Sequence, residues 1–147
     1  MDHYTQQTMK KVPFLSAFLI LWLCSCAQHP KVPQAAQDAF ARKFPNASKV
    51  RWGKENATEY EAEFSMNGVD VSANFNKTGE WLETETSMPF TDLPDPVRSA
   101  VKAKYPDASI SLAEKIEHPG SVLYEVHLKS HGKKIELEVN PDGSIAG

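Results

Sequence analysis

The residues of this chain whose types could do chemistry are a set of histidines and two alternating rows of polar side chains. His118, His127 and His131 fall close together in the C-terminal half. Glu61, Glu63, Ser72 and Asn74 form one row, and Glu125, His127, Lys129, Glu136 and Glu138 form another. His127 and His131 are four residues apart, a spacing that on one helical face would offer two imidazoles to a metal ion. Around them, however, Tyr124, Val126 and Leu128 alternate with polar residues, which is strand periodicity. That places His127 within a strand and His131 at the tip of the next turn, so no metal site is expected. Carboxylates on neighbouring strands can act as general acid and base only in a pocket that drives their pKa values apart. An open sheet face is expected to offer no such enclosure, so neither a catalytic residue nor a cofactor is assigned. Two readings of the rows remain: a solvated face with cross-strand Glu/Lys pairs, or a surface that docks another protein.

The elements that carry these rows begin after an N-terminal address. Lys10 and Lys11 precede the apolar run VPFLSAFLILWL, a basic region and a core too short to span comfortably but suited to a secretory signal. Met9 is the expected biological start, because MKKVPFLSAF is a complete signal beginning. Leu23, Cys24, Ser25 and Cys26 resemble a bacterial lipobox, with Cys26 as the acylated residue and plain secretion as the alternative. Each buried methylene of an acyl chain contributes about 0.8 kcal/mol, so a multiply acylated Cys26 would hold the protein to a membrane without a spanning helix. Ala27 follows, with no acidic run behind it. By resemblance to lipoprotein sorting signals this favours a periplasm-facing outer-membrane location. Both cysteines lie in the address, which leaves the folded part without disulfides, thiolate metal sites or a cysteine nucleophile.

Removing Lys10, Lys11 and Asp2 from the 16 basic and 19 acidic side chains leaves a net charge of about −4. A nucleic-acid role needs a basic stripe, and none is present. A mature chain of about 120 residues can bury a single core without staples.

Two segments nearly repeat each other. VPQAAQDAFARKFPNAS, from Val32, lies over LPDPVRSAVKAKYPDAS, from Leu93, with Pro33/Pro94, Ala39/Ala100, Lys43/Lys104, Pro45/Pro106 and Ser48/Ser109 in register. After a shift in offset, Tyr60/Tyr124, Glu61/Glu125, Gly68/Gly132, Asn76/Asn140 and Gly79/Gly143 coincide; His118-Pro119-Gly120 is the natural place for the inserted residues. Ala36, Phe40 and Phe44, and likewise Val97, Val101 and Tyr105, recur every four residues and mark one apolar helical stripe per copy. Each helix should stop before its proline, Pro45 or Pro106.

Strand periodicity follows in Val50/Trp52, Tyr60/Ala62/Phe64/Met66 and Val71/Ala73/Phe75. The second copy repeats it in Ile110/Leu112, Tyr124/Val126/Leu128 and Ile135/Leu137/Val139. Asn67-Gly68 and His131-Gly132 suit two-residue hairpin turns, and Gly79 and Gly143 suit left-handed closures of type I turns. The expected fold is α+β: a tandem repeat of a helix followed by an antiparallel four-stranded meander, with the helices on one face of the sheet. Its parts are a signal over 1–26, a tether over 27–32, a first repeat over 33–90 and a second over 91–147 with a truncated last strand. Thr91 to Pro96 is the linker. A unit of about sixty residues is marginal alone, so the copies are expected to share a sheet or pack together. The sequons at Asn46, Asn56 and Asn76 are expected to carry no glycan.

The helix ending in KFP, then Trp52, YEAEF, the Asn-Gly turn, Gly79 with Trp81, and ETE together resemble the PepSY-like, beta-lactamase-inhibitor-like (BLIP-like) lipoproteins of Bacteroidetes-type bacteria. The resemblance covers nearly all of residues 32–147; Leu112 stands where the second copy would have a tryptophan. It implies a tandem α+β fold similar to the beta-lactamase inhibitor proteins and a distant kinship to the PepSY domains of metallopeptidase propeptides. No catalytic residue is carried over.

The function expected is a non-enzymatic periplasmic binding module. Its partner would be an envelope protein, a hydrolase among the candidates, met through Glu61, Glu63, Ser72, Asn74, His127, Lys129, Glu136 and Glu138. The membrane would be met through the lipid alone, and nucleic acid not at all. Alternatives are a small-ligand binder or enzyme with its site between the repeats, and an envelope structural or stress protein. Lipidation is tested by Cys26→Ala, which should shift the protein from the membrane to the soluble periplasmic fraction; unchanged partitioning refutes the assignment.

Overall fold

The computed structural model describes residues 31–146, so Cys26 and the signal segment lie outside the described residues. Helix α1, Gln34–Lys43, leads into strands β1 (Ser48–Lys54), β2 (Glu59–Met66), β3 (Val69–Asn76) and β4 (Trp81–Ser87). A single 3₁₀ turn, Phe90–Asp92, precedes helix α2, Asp95–Lys104, and strands β5 (Ser109–His118), β6 (Ser121–Ser130) and β7 (Lys133–Val139). The strands form one seven-stranded antiparallel sheet in chain order. After β7 the chain makes only an isolated bridge, Val139 to Ile145. Among the described residues no helix is long and apolar enough to cross a membrane.

Local chemistry accounts for the boundaries. The residues capping the helix C-termini, Phe44 and Tyr105, each return their N–H to the carbonyl four residues back, at 2.8 Å, and then Pro45 or Pro106 prevents continuation. Both aromatics turn inward. Phe44 is 8 % exposed, and Tyr105 packs against the second core. Asn67 and Gly68, and His131 and Gly132, all have positive φ, the backbone that a two-residue type I′ turn requires. The linker is anchored rather than loose. Arg98 donates to the carbonyls of Thr91 and Leu93 at 2.6 Å and pairs with Asp95, while Leu93 is buried.

The core lies on the helical side in two clusters. Ala36, Phe40 and Phe44 pack on Ala62, Phe64, Val71, Ala73 and Phe75. Phe40 is the hub, with ring centroids 5.0 Å from Phe64, 5.3 Å from Trp52 and 5.5 Å from Phe44. The contacts with Phe64 and Trp52 are edge-to-face, a geometry that adds to the area term. Leu93, Val97 and Val101 pack on Ala113, Val126, Leu128, Leu137 and Val139 in a cluster whose buried members are all aliphatic. The chain connects the clusters through β4 and β5, which pair from Thr84↔Glu117 to Ser87↔Glu114.

Two local expectations are corrected. Val50 is 39 % exposed on the edge strand β1, where a register shift between Ser48 and Arg51 and a positive φ at Lys49 interrupt the alternation. A bulge also shifts β5 between Ile110 and Leu112, so Leu112 pairs with His127 and Ala113 takes the core position opposite Val126. The counterpart of Trp52, which pairs with core Ala62, is therefore Ala113 and not Leu112. Pro119-Gly120 forms the turn between β5 and β6. His118 pairs directly with Ser121, and β5 and β6 are each ten residues long against seven and eight for β1 and β2. The β5–β6 hairpin is therefore longer than the β1–β2 hairpin.

Gly79 and Gly143 do more than close turns. A Cβ at Gly79 would collide with the backbone of Ala35 in the first turn of α1. At Gly143 it would come 2.8 Å from the Pro96 carbonyl oxygen in the first turn of α2. Gly68, also at positive φ, has open space around it. Gly68→Ala is expected to cost about 1–2 kcal/mol from the left-handed backbone alone. Gly79→Ala should cost at least about 1 kcal/mol more, because α1 must also move. Urea unfolding of the two variants checks this; equal losses would mean that the turn and helix yield freely.

Candidate functional site

Pairing across the sheet places every residue singled out on the polar rows on the face opposite the helices. Glu61 and Glu63 of β2 face Asn74 and Ser72 of β3, and these in turn face Glu83 and Glu85 of β4. On the other side His127 and Lys129 of β6 face Glu136 and Lys134 of β7, and Glu125 faces Glu138. The two groups are not brought into contact with each other directly. They are bridged by residues the sequence reading left out: Glu83 and Glu85 on β4, and Glu114 on β5. The signal for the β4 pair was present in the alternating Glu83-Thr-Glu85-Thr, because Thr84 is buried and the glutamates therefore point the other way.

Side-chain contacts tie this face together. Ser72 Oγ donates to Glu85 Oε2 at 3.1 Å, Asn74 Nδ2 to Glu83 Oε1 at 2.7 Å, and Ser87 Oγ to Glu114 Oε1 at 3.0 Å. Arg51 pairs with Glu63 at 2.9 Å, both well exposed. His118 Nδ1 lies 3.6 Å from Glu83, and His127 lies 3.2 Å from Glu125 and 3.8 Å from Glu136. His131, by contrast, is in its turn with Nδ1 3.0 Å from Ser130 Oγ, away from His127. One atom each from Glu114, Glu125 and His127 lie within 4.8 Å of one another, a donor set of two carboxylates and an imidazole that a transition metal could use.

The face is not flat. Between β1 and β5 it holds a concavity of about 530 Å³ lined by Lys49, Arg51, Glu61, Glu63, Ser72, Glu85, Ser87 and Glu114, among others. The expectation that an open sheet offers no enclosure is corrected to this extent. The halves themselves meet in the β4–β5 ladder, and the concavity opens beside it.

Crowding shows in the carboxyl groups. Glu61, Glu85 and Glu125 all have pKa values raised above the ordinary glutamate value. Burial is the first cause in each. Neighbouring negative charges add to it: Glu55 and Glu63 for Glu61, Glu114 and Glu83 for Glu85, Glu136 and Glu114 for Glu125. Ser72 opposes the rise at Glu85 and His127 opposes it at Glu125. These are charges held beside one another with incomplete compensation.

With this geometry the relatives can be placed. The family model described as "Putative beta-lactamase-inhibitor-like, PepSY-like" matches residues 27–74 and 58–146. The chain belongs to this PepSY-like family. Among solved structures it is similar to a BLIP-like protein from Bacteroides fragilis at 28 % identity, with a TM-score of 0.70 over 78 % of this chain and 84 % of that one. A DUF2874 family protein from Bacteroides ovatus has a TM-score of 0.72 at 24 % identity, covering 78 % and 84 %. A protein from Bacteroides eggerthii described as a putative periplasmic protein has a TM-score of 0.73 at 22 %, covering 78 % and 85 %. The last two share the fold. No curated protein matches the chain. The BLIP-like, α+β antiparallel architecture of this PepSY-like member thus agrees with what its sequence resembled.

The raised carboxyl pKa values set a sign for stability. A glutamate whose folded pKa exceeds its unfolded value binds more protons when folded, so its contribution is intact below the unfolded value and is lost as pH rises through the folded one. Glu85→Gln removes the ionised form. Its stability gain over the parent should be smallest near pH 4.5 and largest at neutral pH, read from urea unfolding across that range. A gain independent of pH, or none, would contradict the crowding of Glu85.

Proposed function

We propose that the protein is a non-enzymatic, lipid-tethered periplasmic module that docks another envelope protein through the open face of its sheet and the adjoining hairpin tips. One observation carries this reading. The helices and both hydrophobic clusters occupy one face, while the other presents mainly polar side chains from β1 to β7, interrupted by Ile116 and Leu123 on β5 and β6, with a concavity over β1 to β5. The inhibitor-like description of the family and the 28 % identical BLIP-like relative point in the same direction, toward surface complementarity rather than catalysis. An envelope hydrolase is one class of partner compatible with that kinship. The tether rests on Cys26, and the periplasmic setting on the signal segment together with the description of the B. eggerthii protein.

We also infer that the two halves are copies of one unit. The helix–meander order recurs, both first strands carry a register shift near their start, and equivalent glycines abut equivalent helices. A duplicated one-sided sheet makes a broad face from short strands. The concavity also suits a small polar ligand, since about 300–1,000 Å³ is the usual size of such sites. Its charged lining favours the docking reading instead.

Photo-crosslinking residues placed in the full chain at Glu63 and Glu136, both exposed on the open face, should give discrete adducts in intact envelopes. The same probe at Lys102, exposed on α2, should not. Adducts from Lys102 alone, or from no position, would reject docking through this face.

A further inference from the structure

The open face differs from an ordinary solvated face in the sign and spread of its charge. Every strand from β2 to β7 except β3 contributes at least one glutamate to it, with Glu61, Glu83, Glu85, Glu114, Glu125 and Glu136 running across the sheet. At about 4.8 Å between strands, β2 to β7 span about 24 Å. That is several times the size of a single ion site, but neighbouring carboxylates remain within a Debye length of about 8 Å at physiological salt. The face supplies few permanent cations of its own. Lys49 and Arg51 line the concavity at the β1 edge, where Arg51 is taken by Glu63, and Lys129 and Lys134 stand opposite each other toward the far end of β6 and β7. The histidines beside Glu83, Glu125 and Glu136 compensate only when protonated.

A second observation points to a ligand. Asn74 is 6 % exposed and stands between Glu61 and Glu83 on this face. Its Nδ2 donates to Glu83, but its buried Oδ1 has no hydrogen-bond partner among the described residues. An unpaired buried acceptor is costly, and ionised carboxylates beside it have no proton to donate. A donor that also carries positive charge would compensate the glutamates, and would satisfy the amide oxygen as well once the side chains covering it move aside.

We infer that the partner presents a cationic, extended segment, rich in lysine or arginine, that lies across the open face from β2 toward β7. This rests on the docking reading above and gives it a chemistry. An extended chain rises about 3.3 Å per residue, so about eight residues cover the row. Ammonium or guanidinium groups on alternate residues would meet successive carboxylates through charge-assisted hydrogen bonds. The association should be fast and salt-sensitive, as complementary charge gives.

The probe is an eight-residue peptide alternating lysine and threonine, with its glutamate–threonine counterpart as control, titrated into the purified full chain. Saturable binding of the lysine peptide, weakened by added salt and reduced about tenfold by Glu85→Gln combined with Glu125→Gln, is expected, since each charge pair removed from this half-buried row is worth a few-fold. Asp38→Asn on α1 should leave it unchanged. Equal binding of both peptides, or no effect of the double variant, overturns the inference. So does saturable binding of calcium or zinc ions that the double variant abolishes while the lysine peptide fails to bind, which would make the face a metal site. Crosslinks at Glu63 and Glu136 without lysine-peptide binding would overturn the cationic segment but leave docking standing; loss of both would remove docking as well.

Discussion

The antiparallel ladder between β4 and β5 is the interaction on which the rest of the structure depends. Each half offers a helix, a short meander and a core of its own, and a unit of about sixty residues buries too little surface to be secure alone. Pairing Thr84 through Ser87 with Glu117 through Glu114 turns two edges into interior strands and makes one sheet of seven. It removes two exposed edges, which are liabilities for self-association. It also fixes the relative register of the halves, so that the alternation on β4 continues on β5. The same ladder therefore decides that the two helical clusters share a side and that the polar rows become one surface.

That surface carries an electrostatic cost alongside its use. The ladder sets Glu85 and Glu114 on adjacent strands, and burial together with mutual repulsion raises the pKa values of Glu61, Glu85 and Glu125. Ser72 and His127 relieve part of it at Glu61, Glu85 and Glu125. A solvated face built only for solubility would intersperse both signs. Here the folding energy comes from the other side, where Phe40 and its aromatic neighbours, and the aliphatic cluster under α2, bury apolar area. The division of labour between faces lets the polar side keep charges that destabilise it.

The two halves solve the same packing problem with different side chains. Trp52 over Ala62 and Phe40 in the first half corresponds to Ala113 over Val126 and Val101 in the second. Lys43 lies over the Trp81 ring at 3.6 Å, a cation–π contact. Its counterpart Lys104 reaches Tyr105 instead, at 5.9 Å. The common backbone devices survive these exchanges. Gly79 against Ala35 and Gly143 against Pro96 each bring a turn onto the start of a helix, a contact that excludes any side chain.

Much of the fold was legible in the chain, and for local reasons. Helical stripes ending at Pro45 and Pro106, period-two strands, and the turn pairs Asn67-Gly68 and His131-Gly132 are written in neighbouring residues, because backbone sterics act over a few positions. Each row, Glu61 with Ser72 and His127 with Glu136, could be assigned to the polar side of its own meander for the same reason. The counterpart of Trp52 was within reach of the sequence, since the offset that aligns Pro33 with Pro94 and Ser48 with Ser109 carries Trp52 onto Ala113 and not Leu112; the bulge itself was not. A bulge shifts every later side chain to the opposite face, and where it falls depends on what β6 and α2 require of β5. Nor could the chain alone show that Glu83, Glu85 and Glu114 join the two rows, that Asn74 Oδ1 is left without a partner, or that the face is concave. Those follow from which strand edges meet and in what register, a choice made by long-range packing between halves, so only the tertiary structure decided them.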